Sequence, residues 1–370
     1  MTLSETIIAP AAPASPVPLK VALPFQDDSS LFFAAKVAAA LSERGHIGLT
    51  TQILERGAKA SKVSSRQIAA MLGSGGPDLD LPETDFMKPE FLRSFDAVVT
   101  CKATALQRRT MANSAFRNRA ERPVFVAFLP GLEFTPEKGM ENRRSFDVVF
   151  LNTPGDLAAF QTARIGEGPF HADWGHPYFL TPRTWREPKP DAPIYFFTQA
   201  IAPQTLNGRL HMLQVLAAMA LIHPRRRIVL KLRHLPDENA QHAHRERFSY
   251  PWLHNRMMRN PPPNLEFADG AMDEVLAEAG VAITCTSTAA MDAVSAGVPT
   301  MLYLDYVENY ADYTVEPMRT MFKGSGLIRP LPALLDLDAL PPDPDWLARH
   351  FRGEELYDSL IDAIVRWQGR

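Results

Sequence analysis

The chain has 370 residues, 46% hydrophobic and 22% charged, and 42 acids against 39 Lys and Arg leave a net charge of −3. That length predicts two domains with well-filled cores, and the near-neutral balance removes the electrostatic case for a nucleic-acid partner. Two cysteines, Cys101 and Cys285, make neither a disulfide framework nor a metal set, so a reducing cytoplasm is the expected setting.

Residues 1–17 are rich in Ala and Pro, with no basic start and no apolar run of signal-peptide length, and read as a disordered tail. No segment approaches the roughly 20 apolar residues of a membrane span. From Leu19 the chain repeats a short apolar run, a small or polar turn and an amphipathic stretch. The first run, Leu19 to Leu23, leads through Asp27 and Asp28 into a helix from about Ser30 to Arg44, stopped by Gly45. Strands are predicted at Ile47–Ile53, Phe95–Thr100, Val124–Leu129 and Val148–Leu151, with helices at Ala103–Asn118 and Asp156–Ala163. Runs apolar on both faces and alternating with helices imply a parallel sheet covered on both sides.

The Pro-rich stretch 181–193 reads as a semi-rigid linker, because proline removes backbone donors and blocks helix continuation. The pattern then restarts at Ile194–Phe197. A long helix follows over about Gln204 to Ile222, with Leu206, Leu210, Leu213, Ala217 and Ala220 on one face. Further strands are expected at Arg227–Leu232, Leu265–Phe267, Val281–Cys285 and Thr300–Leu304, and a closing amphipathic helix at Glu354–Trp367. The division is an N-terminal domain over 18–180, a second domain over 194–352, and a last segment, 353–370, packing back on the first. Two doubly wound α/β domains then face one cleft, and ligands belong beyond the carboxyl ends of their strands.

Three strand ends carry candidate chemistry. After Val281–Cys285, Ser287 or Thr288 can cap a helix whose free N–H groups suit a phosphate; an ordinary N-cap is the other reading. At Ile228–Pro236, alternation puts Lys231 and Arg233 on one face and turns His234 the other way. Such a cation pair at a strand end suits phosphate or carboxylate, or is a solvated strand end. After Val124–Leu129, Gly131 permits a tight turn that would carry Glu133 into the cleft as a general base, or leave it a surface Glu capping the next turn; Asp27 or Asp28 is the alternative base. Trp174–Tyr178 reads as a hinge or a ligand contact, and Tyr303–Tyr310 as an aromatic, acidic loop beyond a strand, with acceptor stacking as its functional alternative. Gly73–Pro77 lacks the following Lys and is no phosphate loop. His242 and His244 have no acid or Cys to complete a metal set.

Ser287, Thr288, Asp292, Gly297 and Pro299 together resemble the donor-site signature of GT-B glycosyltransferases and related epimerases, in which the acid binds the ribose. The Lys231–Pro236 element resembles the Lys-x-His-Pro element of bacterial sialyltransferases and capsule polymerases. Lys231 through Tyr250 is similar to a poorly characterised bacterial family known only as glycosyltransferases by name. The resemblance implies an inverting hexosyl- or sialyl/Kdo-type transferase in surface polysaccharide synthesis. Its donor would be a nucleotide-sugar, a CMP-linked acidic sugar ahead of a UDP-sugar. Its acceptor would be a glycan or lipid-linked precursor, reached by peripheral membrane association, with no cofactor and no metal. Glu133 and His234 would be catalytic, with Lys231, Arg233, Ser287, Thr288 and Asp292 on the donor. A nucleotide-sugar 2-epimerase and a non-catalytic glycan- or nucleotide-binding protein are the rival readings.

Overall fold

The computed structural model describes residues 17–54, 63–113, 116, 122–131, 136–162, 170–235, 239, 245–308 and 312–369. Its strands are β1 (Lys20–Phe25), β2 (Ile47–Leu54), β3 (Leu79–Pro82), β4 (Ala97–Thr100), β5 (Val124–Phe128), β6 (Val148–Leu151), β7 (His171–Trp174), β8 (Ile194–Phe197), β9 (Ile228–Lys231), β10 (Leu265–Ala268), β11 (Val281–Thr284) and β12 (Thr300–Leu302). They form two sheets, ordered β3-β2-β1-β4-β5-β6-β7 and β10-β9-β8-β11-β12. Every pairing in both sheets is parallel. The fully buried runs of β4, β5, β6, β8, β9 and β11 need cover on both faces, which the intervening helices supply. Strand order reverses between β1 and β4 in one sheet and between β8 and β11 in the other. Those reversals open a crevice at the carboxyl ends of both sheets.

Several boundaries differ from the sequence expectation. Within the described part of the stretch Ala103–Asn118 an α-helix runs over Ala105–Ala112, held at its start by a Thr104–Gln107 capping box. Elements not named from the sequence include the helix Ser65–Leu72, which starts on a Ser64–Gln67 capping box, and the short strands β3 and β7. The long helix runs Leu206–Ile222, capped by Thr205, and buries Leu213, Ala217 and Ala220 of the expected face together with Gly208, Arg209, Met212, Val215, Leu216 and Met219. The buried face is thus wider than expected, and Leu206 and Leu210, in the first turns, are only half-buried. A helix apolar on nearly all sides gives periodicity little to choose by.

The last helix, Glu355–Gln368, buries Leu356, Leu360, Ala363, Ile364 and Trp367. It docks on the helix Asp28–Glu43 and on β5. At its start Asp358 accepts from Arg44 Nε at 2.7 Å, and at its end Gln368 Nε2 donates to Asp96 at 3.0 Å. The Pro-rich segment lies against the second sheet's helices, with Arg183 N–H donating to Ser295 O at 2.9 Å and Arg186 N–H to Gly297 O at 2.8 Å. Gly297 has φ +70°, and a Cβ there would sit 2.4 Å from Thr184 O. Glycine is required at that point by the crossing backbone. Among the described residues no helix is long and apolar enough to cross a membrane.

Candidate functional site

The carboxyl ends of β1, β8, β9 and β11 enclose a cavity of about 250 Å³. From the first sheet come Asp28, Ser29 and Phe32, at the start of the helix Asp28–Glu43, together with Tyr178. The second sheet contributes Phe197–Gln199 after β8, Lys231–Arg233 after β9 and Ser287–Ala289 with Asp292 after β11. Lys231, Arg233, Ser287, Thr288, Asp292 and Asp28 therefore meet in one place.

Lys231 is buried, and its Nζ donates to Leu232 O at 2.8 Å. Burial pulls its pKa down to about 8, with the nearby Arg66 adding to the effect and Asp269 opposing it. Arg233 instead reaches across the cleft, donating from Nε at 2.8 Å and Nη2 at 2.5 Å to Asp28 Oδ2. The two cations share a cavity wall but differ in environment, one desolvated and one paired.

After β11 the chain enters the helix Ala289–Ser295. Thr288 holds the N-cap position with helical backbone angles and makes no side-chain cap, contrary to one of the two expected capping arrangements. Its neighbour Ser287 accepts from Ala289 N–H at 3.2 Å. The β11 turn is fixed from β8, because Gln199 Oε1 accepts from Thr286 N–H at 3.0 Å and its Nε2 donates to Thr286 O at 2.7 Å. Sequence reading passed over Gln199, although a polar side chain at the end of a buried strand was the signal to follow. Asp292 opens on the cavity from the first turn of the helix. Burial raises its carboxyl to about 6, Lys36 opposes that shift, and Asp273 adds to it.

The remaining expected residues fall elsewhere. Asp27 is buried and serves the fold, capping the helix Asp28–Glu43 by accepting from Ser30 N–H at 3.0 Å. Burial alone would raise its pKa, but the Lys102 ammonium and the Lys102 and Ser30 hydrogen bonds outweigh it and hold the carboxyl below its usual value. His234 is buried off the cavity lining, with Nε2 at 3.2 Å from Asn239 Oδ1. Glu133, His242 and His244 lie outside the described residues. Gly131, two positions before Glu133, has φ +108°, and a Cβ on it would meet Thr288 Cγ2 at 3.3 Å. The loop after β5 thus leaves the described chain at the cavity's edge.

In the two further stretches expected to contact ligand, Tyr178 lines the cavity, while Tyr303, Tyr306 and His176 are packed inside. Tyr303 and Tyr306 are buried rather than presented to an acceptor. His211 Nε2 meets the Tyr303 hydroxyl at 2.8 Å, and the Tyr306 hydroxyl donates to Asp312 at 3.3 Å. In the segment before the Pro-rich stretch, His176 is fully buried, and burial lowers its pKa to about 3. Its Nδ1 accepts from Tyr178 N–H at 3.1 Å, so the neutral ring donates from Nε2 to Leu129 O at 2.8 Å. That bond ties Tyr178 to the loop carrying Gly131. Tyr178 also donates its hydroxyl to Ser29 O.

Residues 25–366 match the family described as "Putative glycosyltransferase (DUF6716)". The chain belongs to that family. No curated protein matches it in sequence. The S. aureus MnaA–UDP co-structure is similar in fold, with TM-score 0.60 and 12% identity over 95% of this chain and 97% of that one. So is the "putative UDP-N-acetylglucosamine 2-epimerase" of Listeria monocytogenes, at TM-score 0.57 and 12% identity over 96% and 98%. The glycotransferase of kitacinnamycin follows at TM-score 0.50 and 15% identity, over 94% and 100%. This member of the glycosyltransferase family therefore has the GT-B fold common to those transferases and epimerases. Among its described residues no group of three or more His, Cys, Asp or Glu is placed to hold a metal.

Proposed function

We propose that the chain is an inverting glycosyltransferase that takes a sugar from a nucleotide-sugar and passes it to a hydroxyl of a glycan or lipid-linked acceptor. The observation that carries this reading is the meeting of Lys231 and Arg233 with the Ser287 and Thr288 hydroxyls in one cavity at the strand-order reversal of both sheets. Two cations and two hydroxyls fixed on rigid strand ends can hold a phosphate. They can also stabilise the charge that collects on it as its bond to the anomeric carbon breaks. Asp292, on the same wall, is the group proposed for the ribose hydroxyls.

Inversion needs one base to take the proton of the acceptor hydroxyl as that oxygen attacks the anomeric carbon. Glu133 is the first choice, supported by the approach of Gly131 to Thr288 at the cavity edge. Asp27 is committed to its helix cap and Lys102, and Asp28 to Arg233. His234 is proposed to support the loop after β9, since it stands off the cavity lining. CMP-linked acidic sugars remain the first donor class, because a cation pair can meet a phosphate and a sugar carboxylate together. The UDP bound to the S. aureus relative favours UDP-sugars as the other class. A membrane-borne acceptor would call for peripheral association.

A thermal-shift panel of CMP, CDP, UDP, GDP and dTDP tests the reading. A true ligand at 100 times its Kd should add about 2.7 kcal/mol of stability. No stabilisation by any of the five retires the donor assignment. A 2-epimerase is the second reading, favoured by the fold likeness to the Listeria protein. Epimer formation from a UDP-sugar with no acceptor present would select it over transfer.

A further inference from the structure

A second cavity, of about 180 Å³, adjoins the first and shares Asp28, Phe32, Lys231, Arg233 and Met272 with it. One side of it is the helix Ser65–Leu72, through Arg66, Gln67, Ala70 and Met71, and the other is the turn after β10 from Asp269 to Met272. An Arg66–Asp269 ion pair of 3.3 Å joins those sides. Small-molecule sites commonly enclose about 300–1,000 Å³. Each chamber falls short of that range alone, and the two joined come within it.

We infer that the two chambers are halves of one nucleotide-sugar site. The Asp28–Arg233 pair is the partition between them, and an incoming phosphate takes Arg233 away from Asp28. The inference rests on the donor reading above and adds to it the second chamber and the exchange of partners. Arg233 already donates two N–H groups to one carboxylate oxygen, Asp28 Oδ2, and the same two donors can serve a phosphate. Asp28 and a phosphate therefore compete for the same donors. The pair is partly covered, with side-chain exposures of 27% and 19%, so breaking it costs the fold less than breaking a fully buried pair would. Lys231 stands in both linings and pairs with a backbone carbonyl rather than a carboxylate. It supplies a second charge that favours a phosphate over Asp28.

The experiment is calorimetric titration of UDP, CMP and inorganic pyrophosphate into wild-type protein and four folded variants at low salt. The variants are Asp28→Asn, Arg233→Gln, the double variant and Ala70→Trp. Ala70 is an exposed helix position, so a Trp there fills the second chamber without disturbing the core. Asp28→Asn should tighten whichever nucleotide the wild type binds by at least about two- to five-fold, the range that even a water-exposed ion pair supplies. In the Arg233→Gln background the same change should give no gain, because the partner is gone. Ala70→Trp should weaken the nucleotide at least tenfold and leave pyrophosphate within about twofold. A wild type that binds nucleotide while Asp28→Asn binds no tighter, or tightens equally without Arg233, overturns the partition alone. Equal effects of Ala70→Trp on both ligands overturn the second chamber. A wild type that binds no nucleotide overturns the donor reading and this inference with it.

Discussion

Gly131 faces Thr288 across the cleft, 157 residues apart in sequence, and a methyl on the glycine would come to 3.3 Å from the threonine Cγ2. The approach brings the loop after β5 to the cavity lined by Lys231 and Arg233. It also explains why glycine stands there, since its φ of +108° is open to few other residues.

The first prediction concerns the base on that loop. Glu133→Gln keeps shape and hydrogen bonding but removes the proton acceptor. Turnover should fall by about 10²–10⁴ with donor affinity nearly unchanged. Single-turnover kinetics beside nucleotide titration check both halves. A folded Gln variant with near-normal turnover moves the role to Asp28.

Lys231 gives a pH signature. Its pKa of about 8 means that it is charged below that pH and neutral above it. Nucleotide affinity should therefore weaken as pH rises through about 8, further up the scale once the bound phosphate favours the charged form. Lys231→Met should bind more weakly at neutral pH and lose that limb. A wild-type affinity flat from pH 7 to 10 removes Lys231 from the phosphate.

Asp292 should trade stability for binding. Its folded pKa of about 6 lies above the ordinary 3.8. The folded state thus prefers the protonated form, and the carboxylate costs stability above pH 6, a cost that vanishes below about 4. Asp292→Asn should raise the melting temperature at pH 8, by no more than about 3 kcal/mol of stability, and leave it unchanged at pH 4. The same variant should bind nucleotide less well if the ribose is its partner. Melting curves at the two pH values with matched titrations decide it.

Asp27 should behave in the opposite way. Its folded pKa is lowered, so its stabilising effect is present at neutral pH and is lost as pH falls through the folded value. Asp27→Ala removes the cap on the helix Asp28–Glu43 and should cost about 0.5–2 kcal/mol at pH 7, with a smaller penalty near pH 2. Asp28→Asn should cost far less. Urea melts of the two variants distinguish the structural acid from the one that lines the cavity.

Local pattern carried the architecture. Continuous apolar runs such as Val148–Leu151 and Ile194–Phe197 can be satisfied only inside a covered parallel sheet, and both strands begin and end where the sequence places them. The same grammar put Lys231, Arg233, Ser287 and Thr288 at strand ends, because residues that leave a buried strand must turn at its carboxyl edge. What needed three dimensions was each side chain's partner. Asp27 and Asp28 are adjacent acids with the same local signals, yet one is fastened by Ser30 and Lys102 and the other reaches Arg233 on the opposite sheet. Periodicity likewise put Leu213, Ala217 and Ala220 on the inner face of the helix Leu206–Ile222, but the neighbouring strands and helices widened that face and drew Arg209 into it. Sequence fixes which groups are available at short range. Pairing between groups separated by 205 residues depends on how the two sheets close on each other, and that is a property of the packed whole.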